Sequence, residues 1–500
     1  MFQNRTISYS QEKQAMSMFS DLLGRHIAAK GIKSNEMAQF CGIERSFMYK
    51  IIKGTRHVAN MDTVLLIAEY LRLTPSERND FIKSYKISVD GLENYYRRKN
   101  ILELFENFRK YSEIYTAPNH EPLSCFPDTP GISTMTGQNE INHQLFHILF
   151  QESQMNNPQI RLLIQPDSDF LMNLLPTLGY ENKNLSISHI ICFNSSDQLT
   201  IDKKNYNLTC LKKILPVYCC ACKYDVYYYY GDLVHSSNEL LLFPYLVLTS
   251  RHAFLLSKDM RSGILFQTEE SLQFFHQIYD QYLEQTSSFG VTMNDLSTQL
   301  TYFHNLRAEV DQNYCFQMLP CLTYCIPDYF YEKYIYPELP NRDYLISILR
   351  DYVHDIRKRF IANRMYFIFS GEGLRRFLDT GRIPEYPPEV YRPFEPADRV
   401  ALIKQFLQLC PPEGIQMLKC SIGDLDNELF MYVNRRNGYL MFPSSNPDRL
   451  ICLDITEPGL LHGFCDFCEH LDKDLFYTKE EAIEIISSLI TETEQNENFI

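Results

Sequence analysis

The chain has 500 residues, 45% hydrophobic and 22% charged, an ordinary globular composition with material for roughly two to four packed domains. Its formal net charge of −14 argues against indiscriminate nucleic-acid binding, yet residues 1–110 hold 18 basic and 12 acidic side chains against 30 and 50 in the rest, so attraction for phosphates is confined to one end. Fifteen cysteines, the absence of an apolar leader in MFQNRTISYS and a longest apolar run (Leu240–Leu248) broken by Pro244 point to a cytoplasmic chain with reduced thiols and no membrane partner.

In chain order, Phe19, Leu22, Leu23, His26 and Ile27 share one helical face that stops at Lys30-Gly31. A short helix is expected from Ser34 to Phe40, burying Met37 and Ala38. Gly42 marks the next turn, and Ile43, Phe47, Met48 and Ile51 mark a third helix closed by Gly54. A fourth helix, Met61–Leu71, buries Val64, Leu65, Ala68 and Leu71. A fifth, Ser76–Tyr85, has Thr74 as N-cap and Pro75 in its first turn. Two short helices meeting at a glycine turn, the second carrying Arg45, Lys50 and Lys53, suit the DNA major groove.

The residues Gly31-Ile32, Glu36-Met37-Ala38, Gly42-Ile43, Arg45-Ser46, Ile51, Gly54-Thr55-Arg56 and Leu65…Ala68…Leu71 carry a resemblance. Over residues 16–74 the chain resembles the Cro/C1-type (xenobiotic-response-element) helix-turn-helix family. The resemblance implies a five-helix DNA-binding domain and a homodimer on double-stranded DNA with half-sites about 34 Å apart. The second helix begins with Ser34, where that family commonly has Gln, and a serine reaches less far. Arg45, Ser46, Tyr49 and Lys50 lie on the outer face of the third helix. Arg45 or Lys50 suits a guanine edge, and Glu44 suits a cytosine amine. Phe47 suits a thymine methyl or the core equally well. Lys53, Thr55, Arg56 and His57 suit the sugar-phosphate backbone. The same basic residues on a merely solvated bundle, or a protein-binding use of the fold, are the competing readings.

Residues 93–116 read as one amphipathic connector helix, serving as a dimer helix, a coupler or simply a packed helix, and 117–137 reads as a loop and domain boundary. The expected divisions are 1–88, 89–137, 138–340 and 341–500. The body is expected to be mixed α/β or α+β, with strands near 160–164, 186–193, 217–230, 240–248 and 252–256 and a helix at 271–283. Residues 295–336 read as mainly helical. After them come a helix at 344–360, a strand at 364–369 and a helix at 374–378. A Pro-rich stretch, 383–396, is expected to cross the surface. The chain then reads as helix 398–409, strands near 416–420, 429–433, 439–442 and 450–455 with an Asn437-Gly438 hairpin turn, and a last helix opened by a Thr478/Glu481 capping box. No short repeat period is evident.

Gly371-Glu372-Gly373, with Arg375 and Arg376 beside it, has the makings of an anion cradle or of a tight strand-to-helix turn. His462, Cys465, Cys468 and His470 have a metal-like composition on a helix that reads as core. Cys219, Cys220 and Cys222 fall in an expected strand, where convergence on one ion is awkward. Cys315, Cys321 and Cys325 lack paired ligand doublets, and His143 and His147 lack the glutamate of a zincin helix. Tyr227–Tyr230 suits an effector pocket or an alternating strand. With no Walker A loop, GxSxG elbow or HxKxxxxD motif, no catalytic residue, metal or cofactor is expected. The expected function is a transcriptional regulator whose body senses a small molecule or peptide or assembles copies. An enzyme with a DNA-binding head and a phage-defence or scaffold component are the alternatives.

Overall fold

The computed structural model describes residues 9–108, 110, 131–195, 199, 203–220, 222–231, 242–290, 296–305, 312–422, 429–443 and 450–497. They fall into two units, Met1–Asn100 with Gln198–Asn205, and Ile101–Asp197 with Tyr206–Ile500.

The first unit is helical: α1 (Tyr9–Lys30), α2 (Ser34–Phe40), α3 (Arg45–Ile52), α4 (Met61–Tyr70), α5 (Pro75–Asp90) and the start of α6 (Leu92–Glu106). Four successive helices end alike. The amides of Ile32, Ile43, Thr55 and Leu73 donate to the carbonyls of Ile27, Ala38, Lys50 and Ala68, and the residue before each amide is left-handed: Gly31, Gly42, Gly54 and Arg72. Leu23, Met37, Met48 and Ile51 from three of these helices meet in one core at 0–1% exposure. Burying each stabilises the bundle by about 1.5–3 kcal/mol. Lys30 Nζ donates to the carbonyls of Leu71 and Arg72 at 2.9 and 3.1 Å, fastening the end of α1 to the end of α4. Thr74 and Glu77 close a capping box on α5 with Pro75 behind the cap.

The second unit holds two sheets. The first runs β1-β7-β6-β5-β2-β3-β4-β8 and the second β11-β10-β9-β12-β13-β14. The strands are β1 (Ile132–Thr136), β2 (Gln159–Leu163), β3 (Ser186–Asn194), β4 (Lys223–Gly231), β5 (Tyr245–Leu248), β6 (Ala253–Leu256), β7 (Ser262–Phe266), β8 (Ser287–Phe289), β9 (Asn313–Phe316), β10 (Met365–Ser370), β11 (Ile415–Leu418), β12 (Phe430–Val433), β13 (Gly438–Pro443) and β14 (Leu450–Ile455). The helices are α7 (Gln138–Ser153), α8 (Asp169–Glu181), α9 (Tyr206–Tyr218), α10 (Glu269–Leu283), α11 (Leu296–Asn305), α12 (Tyr329–Tyr334), α13 (Arg342–Ala362), α14 (Gly371–Thr380), α15 (Pro396–Leu409), α16 (Pro458–Glu469) and α17 (Lys479–Glu497).

These elements stack in layers. One core joins α7, α8 and α9 with the inner faces of both sheets and α16. α10 covers the outer face of the first sheet. α11 to α15 and α17 cover the outer face of the second.

The two sheets repeat one topology. Strands β2 to β7 and β9 to β14 follow the same order, with the same parallel and antiparallel neighbours. The repeat holds residue by residue. The pairs Leu162↔Val247 and Cys315↔Tyr432 occupy equivalent places. The amide of Ile164 donates to Ile190 as that of Gln317 donates to Ile368. The β5–β6 turn starts at Thr249, whose hydroxyl accepts from the Arg251 and His252 amides, and the β12–β13 turn starts at Asn434, whose Oδ1 accepts from Arg436 and Asn437. Thr268 caps α10, and the equivalent Glu457 caps α16.

Several expectations are corrected. Residues 132–136 of the expected loop form edge strand β1, exposed over most of its length. The expected helical region 295–336 contains β9, a central strand buried on both faces. The connector helix α6 ends at Glu106, and residues 111–116 lie outside the described residues. Cys219 and Cys220 follow helix α9 rather than lying in a strand. Asn437-Gly438 is not a two-residue turn. Asn434–Asn437 make the turn, and Gly438 begins β13, where a Cβ would approach the Tyr432 carbonyl at 2.9 Å. The stretch 383–396 is anchored by buried Ile383, Tyr391 and Phe394 rather than lying on the surface.

Candidate nucleic-acid interface

The helix pair is positioned by its turn. Cys41 closes α2, Gly42 adopts φ 65°, and the Ile43 amide returns to the Ala38 carbonyl at 3.1 Å. A Cβ on Gly42 would meet nothing within 4 Å, so glycine is favoured there by backbone conformation alone. Met48 and Ile51 of α3 point into the core, which turns the opposite face outward.

That face carries the expected residues. Glu44, Arg45, Ser46, Tyr49, Lys50, Lys53, Thr55 and Arg56 are exposed, and Ser34, the first residue of α2, is half-buried. Glu44 immediately precedes α3 and makes no side-chain cap. Neither Arg45 nor Lys50 has an ion-pair partner among the described residues. The Lys53 ammonium leans over the Tyr49 ring, 5.7 Å from its centre. The Thr55 hydroxyl donates to the Lys50 carbonyl at 3.1 Å, tying the loop after α3 to the helix end. Phe47 is half-buried against the domain core. Lys33 pairs with Glu36 at 3.0 Å, which reduces the positive charge at the start of α2.

Residues 23–84 match the family model of the Cro/C1-type HTH DNA-binding domain. The N-terminal domain is a Cro/C1-type helix-turn-helix domain. No curated protein matches the chain. Among solved structures, TrmBL2, an archaeal chromatin protein described as having a novel mode of DNA binding, aligns over 52% of this chain and 91% of its own. The identity is 9% and the TM-score 0.22, too distant a likeness to carry an argument. No described helix of the chain is long and apolar enough to cross a membrane.

Within the Cro/C1-type domain, sequence reasoning missed two features. Lys30, the tie between helix ends, looks in sequence like any basic residue in a last turn. Asn60 caps α4 by accepting from the Thr63 amide at 2.9 Å, a role its Asn-x-x-Thr spacing signals.

Outside the domain the expected clusters do not assemble. Gly371 and Gly373 open α14, but a Cβ at Gly373 would lie 2.1 Å from the Met318 carbonyl oxygen. The Ser370 hydroxyl accepts from the Gly373 amide, so backbone and cap fill the place of an anion. Arg375 instead pairs with Glu492 at 3.2 Å. Cys465 and Cys468 are buried in the core side of α16, and burial pushes the Cys465 thiol up to about 12. The described residues contain no His/Cys/Asp/Glu group able to hold a metal ion. On β4, Tyr228 is buried, while the neighbouring Tyr229 and Tyr230 are 39% and 46% exposed; the Tyr230 hydroxyl donates to Glu457 at 3.1 Å.

Proposed function

We propose that the chain is a sequence-specific DNA-binding transcriptional regulator that works in the cytoplasm as a homodimer. Its Cro/C1-type domain reads an operator, and residues 101–500 serve as a sensor or oligomerisation module. The observation that carries the reading is the exposed basic face of α3, with Arg45 and Lys50 unpaired among the described residues and Lys53 and Arg56 beyond them. Arg45, Ser46 and Lys50 near the helix start reach base edges, with Tyr49 and Glu44 beside them and Ser34 at the start of α2. Lys53, Thr55 and Arg56 face phosphates and contribute affinity without sequence information. Control then follows from population shift: an effector that prefers one arrangement of the body alters how paired domains fit two half-sites.

The test is binding of the intact protein to duplexes from its own promoter region across a salt series. Specific, salt-sensitive binding is expected, and replacing Arg45 and Lys50 together with alanine removes discrimination worth about 1–3 kcal/mol per lost base contact. Binding that ignores both salt and sequence would refute the reading.

A further inference from the structure

Between the second sheet and the helices over its outer face lies an open-mouthed cavity of about 60 Å³. Its floor is Cys315 of β9, Gln317 just beyond it, Tyr432 of β12 and Tyr439 of β13. Phe303 of α11 and Tyr352 of α13 form the roof, and Glu385 closes one side. Phe303 and Tyr439 have ring centres 4.8 Å apart, and Tyr432 stacks on Tyr439 at 5.7 Å. Glu385 Oε1 accepts from Gln317 Nε2 at 3.2 Å, while Oε2 is buried with no hydrogen-bond partner among the described residues. The guanidinium in the wall, Arg359, is already paired with Asp355.

The repeat gives this cavity an internal reference. The places of Cys315, Gln317, Tyr432 and Tyr439 are held in the first sheet by Leu162, Ile164, Val247 and Phe254. Those four are 0–1% exposed and close a solid core. At each of the four sites the second sheet therefore has a more polar side chain, and hollow space stands over them. A framework that can be filled by apolar packing is here left open, with a carboxyl oxygen unsatisfied inside it among the described residues. A buried polar atom without a partner costs roughly 1–3 kcal/mol, so the arrangement is retained against stability.

We propose that this cavity is a binding site for a small organic cation, with an ammonium or amidinium head on Glu385 and a hydrocarbon or aryl body against Phe303, Tyr352 and Tyr439. A cation supplies the counter-charge a buried carboxylate lacks, and aromatic faces attract it further. Among the described wall residues an anion finds no unpaired positive group, and a neutral ligand leaves the ionised carboxylate uncompensated. The site is independent of the DNA-binding reading, since occupancy is measured without DNA.

The experiment is isothermal titration of the full chain at about pH 8, where the Glu385 carboxyl is ionised, with phenethylamine, phenethyl alcohol and phenylacetate, near-isosteric probes differing in charge. Saturable binding of the amine is expected, with the alcohol and the acid each weaker by about tenfold or more. Glu385→Gln, which keeps an acceptor for Gln317, is expected to weaken the amine by about tenfold, and Tyr439→Leu by roughly threefold. Should either variant fail to fold, the charge series on the unaltered protein decides alone. Equal binding of alcohol and amine, undiminished amine affinity in folded Glu385→Gln, or no saturation by ~10 mM amine overturns the proposal.

Discussion

Replacing Glu385 with glutamine turns a stability measurement into a test of the cavity's electrostatics. Burial holds the Glu385 carboxyl up at about 7 from its ordinary 4.5, with hydrogen bonds from its own backbone amide and from Gln317 opposing only part of that rise. The folded chain thus keeps a proton that the unfolded chain gives up between those values. Stability from this group is complete below 4.5 and is lost as pH rises through about 7, at up to ~1.4 kcal/mol per pH unit. The whole window is worth about 3 kcal/mol. Glutamine does not titrate, so the stability of Glu385→Gln relative to the unaltered chain should rise by that amount between about pH 4.5 and pH 8. The other titratable groups facing the cavity do not confuse the reading. Burial pushes the Cys315, Cys321, Tyr352, Tyr386, Tyr432 and Tyr439 protons upward, so they stay neutral over the window. Arg359 and Asp355 are present as an ion pair. The assay is urea denaturation of both proteins across pH, followed by circular dichroism because the chain has no tryptophan. A difference that is flat with pH, or that shrinks as pH rises, would refute the reasoning.

Lys53→Ala should weaken binding to all duplexes about equally and reduce the salt slope by about one, a result read from anisotropy titrations. A sequence-dependent loss would instead make Lys53 a base reader. Gly42→Ala and Gly373→Ala should separate two uses of glycine. The first has empty space and costs about 1–2 kcal/mol through its left-handed backbone. The second drives a Cβ into the Met318 carbonyl and should cost at least about 3 kcal/mol, measured by chemical denaturation of each unit. Arg72 is left-handed at φ 49° where three sister positions hold glycine, so Arg72→Gly should stabilise the N-terminal domain by about 0.5–1 kcal/mol in the same assay.

The N-terminal domain was legible because its signals are local. Helical period, capping residues and glycines after each helix act over four or five residues, and Met37, Met48 and Ile51 reveal the buried faces directly. The body was legible only in pieces. β9 is four residues long and buried on both faces, so it shows no alternation to distinguish it from a helix. β1, with Ser133, Thr134 and Thr136 exposed, resembles a loop until β7 pairs with it. Gly371-Glu372-Gly373 left an anion cradle open beside a tight turn because the Met318 backbone that excludes a Cβ at Gly373 lies 55 positions earlier in the chain. Glu385 was hidden in a proline-rich stretch, since its importance comes from Gln317 and from an aromatic enclosure assembled across five elements. The repeat left no trace in residue identity, because Leu162 and Cys315, or Phe254 and Tyr439, share a place without sharing chemistry.

The doubled sheet also bears on how the body tolerates change. Two copies of one framework in a single chain let one copy be conservative while the other varies. Leu162, Ile164, Val247 and Phe254 form a scaffold in which even a lost methylene is felt. Of their counterparts, Tyr432 is tied through its hydroxyl to Asn313 and Asn434, while Cys315, Gln317 and Tyr439 border open space. Variation concentrated on the second copy would reshape the hollow while leaving the architecture standing.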